Sequence, residues 1–333
     1  MPAVPKTEQL RLYETADQWY VLEIRGERDV PGYDPKQVGR GLSEQTYRRE
    51  VLGDWTATTG KVVYPEYGEI HTAQEPLPFY SSLPLVCCWD FGGTPFSGTP
   101  AMVPTQVAPS GCWHIFPALV PPEDRTVGIY EFTEAAAEYL LTEFARPAGV
   151  GLDGLQLRHF GDPAGSARTG VPRGVSNNRI ELRSCYEIIR DGLRVVVDWD
   201  ERGEPVYQER PGWGWVIEPG EVSLTKRMEA LRSRLTALRG GEPLVLVDSF
   251  PPETFRSPLL HPGAVLEGFQ GGYSYRQRAT GEYELDPDKN WYSHPLNALE
   301  YGASRLFAAA PPGGEEPEPV WQRTTRAAGR RKG

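Results

Sequence analysis

Two aspartates stand in the same local setting. Asp90 closes the apolar run LVCCWD and is followed by Phe91, Gly92 and Gly93; Asp162 closes LQLRHFG and is followed by Pro163, Ala164 and Gly165. A continuous apolar run that ends in Asp and Gly has the pattern of a strand buried on both faces. Open α/β sheets place ligands at the carboxyl ends of their strands, so two such acids can converge on one spot. A carboxylate pair with a third oxygen or nitrogen ligand suits Mg2+ or Mn2+, and two such ions about 3.5–4 Å apart serve phosphodiester cleavage. Taken singly, each Asp reads equally as a turn or helix-cap residue. A third candidate lies in SHPLNALEYG, where His294, Asn297 and Tyr301 recur at three- and four-residue steps and share one helix face. Leu296, Leu299, Ala303 and Leu306 form the neighbouring apolar stripe, with Glu300 nearer to it. A polar cap on an ordinary first turn is the alternative.

Positioning these side chains takes strands and helices in alternation. Strand patterns recur around 102–107 and 113–119, and FTEAAAEYLLTEFAR (132–146) reads as an amphipathic helix with Thr133 near its cap. Residues 184–191 read as a short helix and LRVVVD as a strand. SLTKRMEALRSRLTALR (223–239) carries Leu224, Met228, Leu231, Leu235 and Leu238 at helical steps. PLVLVD (243–248) is a further buried strand, 273–285 alternates as a hairpin around Thr280 and Gly281, and 295–309 is a last helix. Upstream, Ser43 can cap a helix in SEQTYRREVLG, and KVVYPEY holds a short strand. The order predicts a mixed-sheet α/β domain over 56–310. Residues 1–55 read as a connecting segment. Residues 311–333 read as a flexible tail: the linker PPGGEEPEP, then WQRTTRAAGRRKG, with five cations and no acid.

Composition narrows the classes. A net charge of −10 argues against a surface basic everywhere and leaves a local DNA groove open. The 36 Gly and 32 Pro in 333 residues stay below the roughly 25–30% of low-complexity chains. No apolar run reaches the length of about 18 residues that spans a membrane, and MPAVPKTEQLRLYE lacks the order of a signal peptide. Cys87 and Cys88 are adjacent, Cys112 and Cys185 isolated, which excludes a disulfide framework and a structural zinc motif. Cys185 opens a helix without a histidine base in view, and His71, His114, His159 and His261 lack partner spacing. TATTGKVV has Gly60 and Lys61 but Trp55 and Val62 at the positions where an ATP-binding loop needs Gly and Ser or Thr. The hairpin interleaves Tyr273, Tyr275, Arg276 and Arg278, which can stack on bases and pair with phosphates, although alternating Tyr is also ordinary strand composition.

The ordered set YRREVLGDW, VVYPEY, CCWDFG, FGDPAG, KRMEALRSRL, PLVLVD, GFQGGYSY and KNWYSHPLNALEYG resembles the nuclease domain of the large terminase subunits, the DNA-packaging motors of tailed bacteriophages. The resemblance implies an RNase H-like mixed β-sheet flanked by helices, with an added β-hairpin. It implies a metal-dependent endonuclease that cuts concatemeric double-stranded DNA by two-metal phosphodiester hydrolysis, with two Mg2+ or Mn2+ ions. Asp90 maps to the family's first acid, Asp162 to its second, and Ser293, His294, Asn297 and Ala298 to its closing motif, with Asn297 at an expected Asp. Lys289 becomes a phosphate neutraliser and Tyr275, Arg276 and Arg278 DNA contacts. The implied partners are DNA, a portal protein, a small terminase subunit and a separate ATPase domain or subunit, in the cytoplasm of an infected bacterium and away from membranes. Asn297 also fits a docking module that binds DNA or portal without cutting. A resolvase or transposase shares the chemistry but matches YRREVLGDW and GGYSY less well.

Overall fold

LVCCWD forms strand β1, Leu85–Asp90, and all six of its residues are buried. In this computed structural model the described residues are 61–92, 98–172, 180–193, 216–278 and 280–307, with the strand segments 11–14, 20–23, 196–199 and 205–207. The expected helix in SEQTYRREVLG, most of TATTGKVV and the 311–333 tail lie outside them. The chain divides into two compact units, Tyr64–Phe269 with Asp288–Gly333, and Met1–Val63 with Gln270–Pro287.

The first unit is built on a mixed sheet. After β1 come β2 (Ala101–Val107), β3 (Trp113–Ile115), β4 (Ala118–Leu119), β5 (Leu157–Gly161), β6 (Ile217–Pro219) and β7 (Val245–Val247). The spatial order is β6-β5-β1-β2-β3-β7. Strands β1, β2 and β3 are antiparallel neighbours, while β5 runs parallel to β1, β6 to β5, and β7 to β3. Parallel neighbours need long crossovers, and helices supply them here. These are α1 (Ile129–Leu140), α2 (Cys185–Gly192) and α3 (Leu224–Thr236); α4 (Ser293–Leu306) follows the last strand. A mixed sheet flanked by helices is the expected class.

Alternation along β1 sorts the two layers. Leu85, Cys87 and Trp89 join Phe132, Ala136, Tyr139 and Leu140 of α1 and Ile188 and Ile189 of α2 in one core. Val86, Cys88 and Asp90 therefore face the other side, which α4 covers. Gly302 makes that approach possible, since a Cβ there would lie 2.2 Å from Cys88 Sγ.

Some boundaries differ from expectation. Helix α1 begins a turn earlier, after Gly128, and Thr133 sits inside it, donating to Ile129 O at 2.6 Å instead of capping. The strand expected over 113–119 breaks into β3 and β4, between which Phe116 N–H turns to Pro104 O at 3.0 Å. Helix α3 stops at Thr236, and Leu238–Arg239 pairs with Glu242–Pro243 around Gly240 and Gly241, both at positive φ. In KVVYPEY only Lys61–Val62 is a strand.

The second unit contains the hairpin. Ser274–Tyr275 pairs antiparallel with Lys61–Val62, Gln277 bridges Tyr283, and Arg278 N–H donates to Glu282 O at 2.8 Å. Gly281, at φ +85°, turns the chain, as Thr280-Gly281 predicts.

Candidate active site

Strand register joins the two acids. Trp89 lies opposite Gly161 in the parallel β1–β5 pair, so Asp90 and Asp162 follow as neighbours at the carboxyl ends of adjacent strands. Such strands lie about 4.8 Å apart. The Asp162 N–H donates to Trp89 O at 3.1 Å and extends the ladder to this point.

Asp90 is 5% exposed. Its Oδ2 accepts from His294 Nδ1 at 2.8 Å; a carboxylate only accepts, so the imidazole proton sits on Nδ1. Burial pushes the Asp90 carboxyl above its ordinary range, the His294 bond pulls it back, and the charge of Asp162 pushes it up again. Asp162 is half-buried and caps the short turn Pro163–Ser166, accepting from Ala164 N–H at 2.9 Å. Tyr186 fixes its backbone, donating to Asp162 O at 2.8 Å.

Helix α4 spans both acids. Its start is set by Asn290, whose Oδ1 accepts from Ser293 N–H at 3.2 Å and whose backbone O accepts from Ser293 Oγ at 2.6 Å. Pro295 falls in the first turn, where its missing N–H has no helical partner to lose. His294 meets Asp90, and Tyr301, two turns on, lies near enough for the Asp162 and Asp90 charges to act on its hydroxyl. Burial foremost raises the Tyr301 hydroxyl, and the Asp162 and Asp90 charges add to this. Asn297, half-buried, lies between His294 and Tyr301 on the same helix face. Gly92 lets the loop after β1 pass beneath the imidazole: at φ +54°, a Cβ there would fall 2.2 Å from Thr99 O and 3.0 Å from His294 Cε1.

No family model matches the chain, and no curated protein matches it. Among solved structures, it is similar to the crystal structure of the g2p (large terminase) nuclease domain from the bacteriophage SPP1 with bound Mn. The identity is 13%, 71% of this chain and 96% of that chain are covered, and the TM-score is 0.35. The functional case rests on the side chains of this chain.

The donor set around β1 and β5 is hard oxygen: two adjacent carboxylates and an amide. That chemistry fits Mg2+ or Mn2+, and a cation would relieve the mutual repulsion of the adjacent pair. Among the described residues no three His, Cys, Asp or Glu side chains gather as a metal site. Two formal charges suit one divalent ion better than two.

The remaining expected residues are more dispersed. Lys289 is exposed. Arg276 and Arg278 are exposed on the hairpin of the second unit, where Arg278 Nε lies 3.9 Å from Glu284 and Lys61 stands over the Tyr275 ring at 5.7 Å. The four histidines read as non-catalytic have local partners. His71 accepts from Gly68 N–H at 3.0 Å and donates to Leu235 O at 2.9 Å, and His114 donates to Pro78 O at 3.3 Å. His159 accepts from Trp89 Nε1 at 3.1 Å, and burial pushes it down to about 4. His261 packs edge-on against Trp291. Burial pushes the Cys185 thiol up to about 11, away from nucleophile chemistry.

Sequence reasoning set Glu300 aside with the apolar stripe. It is fully buried yet fully engaged: Oε1 accepts from Tyr64 OH at 2.7 Å and Oε2 from Arg227 Nε at 2.8 Å. The Arg227 guanidinium also lies over the Tyr301 ring at 4.5 Å. A buried acid within a helix that carries other candidate ligands was the available signal.

Proposed function

We propose that this chain is a divalent-metal-dependent endodeoxyribonuclease. The observation that carries the reading is the side-by-side placement of Asp90 and Asp162 at the ends of adjacent parallel strands, with His294 bonded to the first. The resemblance of its motif order to terminase nucleases implies the same chemistry. It also implies double-stranded DNA as substrate, with a portal, a small subunit and an ATPase as companions in genome packaging.

Asp90, Asp162 and the Asn297 carbonyl oxygen would hold the cation. When bound, Mg2+ or Mn2+ makes water a stronger nucleophile and stabilises charge developing on the phosphate. The protein's part is orientation. His294 Nδ1–H holds the Asp90 carboxylate, and Ala164 N–H holds one oxygen of Asp162. Lys289 would neutralise a phosphate, and Tyr275, Arg276 and Arg278 would contact the duplex. With Asn in place of a third acid, one ion binds well and a second weakly, so cleavage requires raised metal or favours Mn2+.

The purified chain is expected to nick or linearise plasmid with little sequence preference when Mn2+ or Mg2+ is present, and to stop when the metal is chelated. Cleavage that survives chelation contradicts the reading. Asn297 favours a second reading, a docking module that binds DNA or portal without cutting; duplex binding in a mobility-shift assay, with no cleavage at any metal concentration, would select it.

A further inference from the structure

Three charged side chains lie in one buried patch on the α4 side of the sheet. Glu300 of α4 is 0% exposed, the Arg227 side chain of α3 is 12% exposed, and the two meet at 2.8 Å. Asp90 lies in the field of both: Glu300 and Asp90 repel, and Arg227 attracts Asp90. Arg227 in turn covers the ring of Tyr301, whose hydroxyl feels the charges of Asp162 and Asp90. A single guanidinium thus stacks on a residue of the helix that brings His294 to Asp90 and balances the buried charge of Glu300 on that same helix.

Burying an ion pair is not in itself a gain in stability. The desolvation of two charges offsets much of their attraction, and apolar residues of similar volume often do as well. Tyr64 fills the other Glu300 oxygen, so both carboxylate oxygens are hydrogen-bonded.

We propose that Glu300 and Arg227 are positioning residues that set the charge balance of the Asp90–Asp162 site and so its affinity for a divalent cation. The inference rests on the metal-dependent reading above. Arg227 offsets the Glu300 charge, and Glu300 does not become a ligand, because both its carboxylate oxygens accept hydrogen bonds. The net charge presented to a cation then comes from Asp90 and Asp162 alone.

A charge-balancing role makes the two partners act in opposite directions, whereas a packing role makes both losses harmful. The test is Mn2+ titration by calorimetry on the full chain at low ionic strength and about pH 8, without DNA. Glu300→Gln leaves Arg227 uncompensated beside Asp90 and should weaken Mn2+ binding about tenfold. Arg227→Gln leaves Glu300 uncompensated and should strengthen it several-fold. The double variant should return close to the parent. Thermal melts accompany each titration. If Glu300→Gln does not fold, the comparison of Arg227→Gln with the charge-retaining Arg227→Lys decides: tighter binding in the first and parental binding in the second support the proposal.

Shifts of both single variants in the same direction, or parental affinity in all of them, would overturn it and leave the pair as packing. A parent that binds no Mn2+ at all would instead overturn the metal-dependent reading, and this inference with it.

Discussion

Three strands of the principal sheet run in the same direction and are followed by aspartate: β1 by its own Asp90, β5 by Asp162 and β7 by Asp248. Asp90 and Asp248 are each 5% exposed, and burial raises both carboxyls. Their surroundings differ. Asp248 spends Oδ2 on Leu77 N–H at 2.9 Å and Oδ1 on Phe250 N–H at 2.8 Å, so it closes two loops. Its neighbour across the sheet is β3, whose Ile115 lies opposite Val247. Asp90 has a second carboxylate beside it and an imidazole from a helix above it. Register sets a second acid next to Asp90 and a side chain meets its carboxylate, whereas backbone amides take both oxygens of Asp248.

The largest test of that contrast is to remove each acid in turn. Asp90→Asn should lower plasmid cleavage by at least about a hundredfold with little change in melting temperature. Asp248→Ala should do the reverse. It orphans two backbone amides, at roughly 1–3 kcal/mol each, and leaves the cleavage rate of the folded protein near the parent's. Equal losses of cleavage in the two variants would erase the distinction.

Asn297→Asp sharpens the same comparison from the helix side. Adding a formal charge between His294 and Tyr301 should tighten Mg2+ and Mn2+ binding about tenfold and raise cleavage at low metal. Unchanged affinity and rate would mean that Asn297 is not a ligand position, and the alignment of the last helix with the terminase motif would fall.

A smaller effect separates the neutral histidine behind the site from the one within it. His159, pushed down to about 4, stays neutral in the fold, while in the unfolded chain it titrates near 6.5. The unfolded state therefore binds the extra proton first. The stability that His159 contributes is complete above about pH 6.5 and declines towards pH 4, by about 3 kcal/mol in all. His159→Gln, which can still accept from Trp89 Nε1, should flatten that part of the curve in urea melts taken across this range. A parental slope in the variant would assign the acid sensitivity to other groups.

Much of this was legible in the chain. The apolar run before Asp90 declares a buried strand, and the His294–Asn297–Tyr301 spacing declares a helix face, because both depend on short-range periodicity. What was not legible depends on distant partners. Asp248 also closes an apolar run, and the register of β7 beside β3 and the amides of Leu77 and Phe250 set it apart from Asp90. Glu300 looks like an intrusion on an apolar stripe until Arg227, 73 residues away, and Tyr64, 236 residues away, come to meet it. Thr133 resembles a cap by residue type, yet α1 gains its extra turn from Ile129 and Phe132, which the core buries. Gly240 and Gly241 explain why α3 ends before the apolar spacing does: their positive φ turns the chain into a hairpin.

The most direct test of the central claim is anomalous diffraction at the manganese edge from crystals of this protein grown or soaked in Mn2+. The account predicts a peak between the Asp90 and Asp162 carboxylates, about 2 Å from an oxygen of each, with the Asn297 side chain turned towards it. A peak at Asp248, or none near Asp90 and Asp162 at millimolar Mn2+, would contradict it.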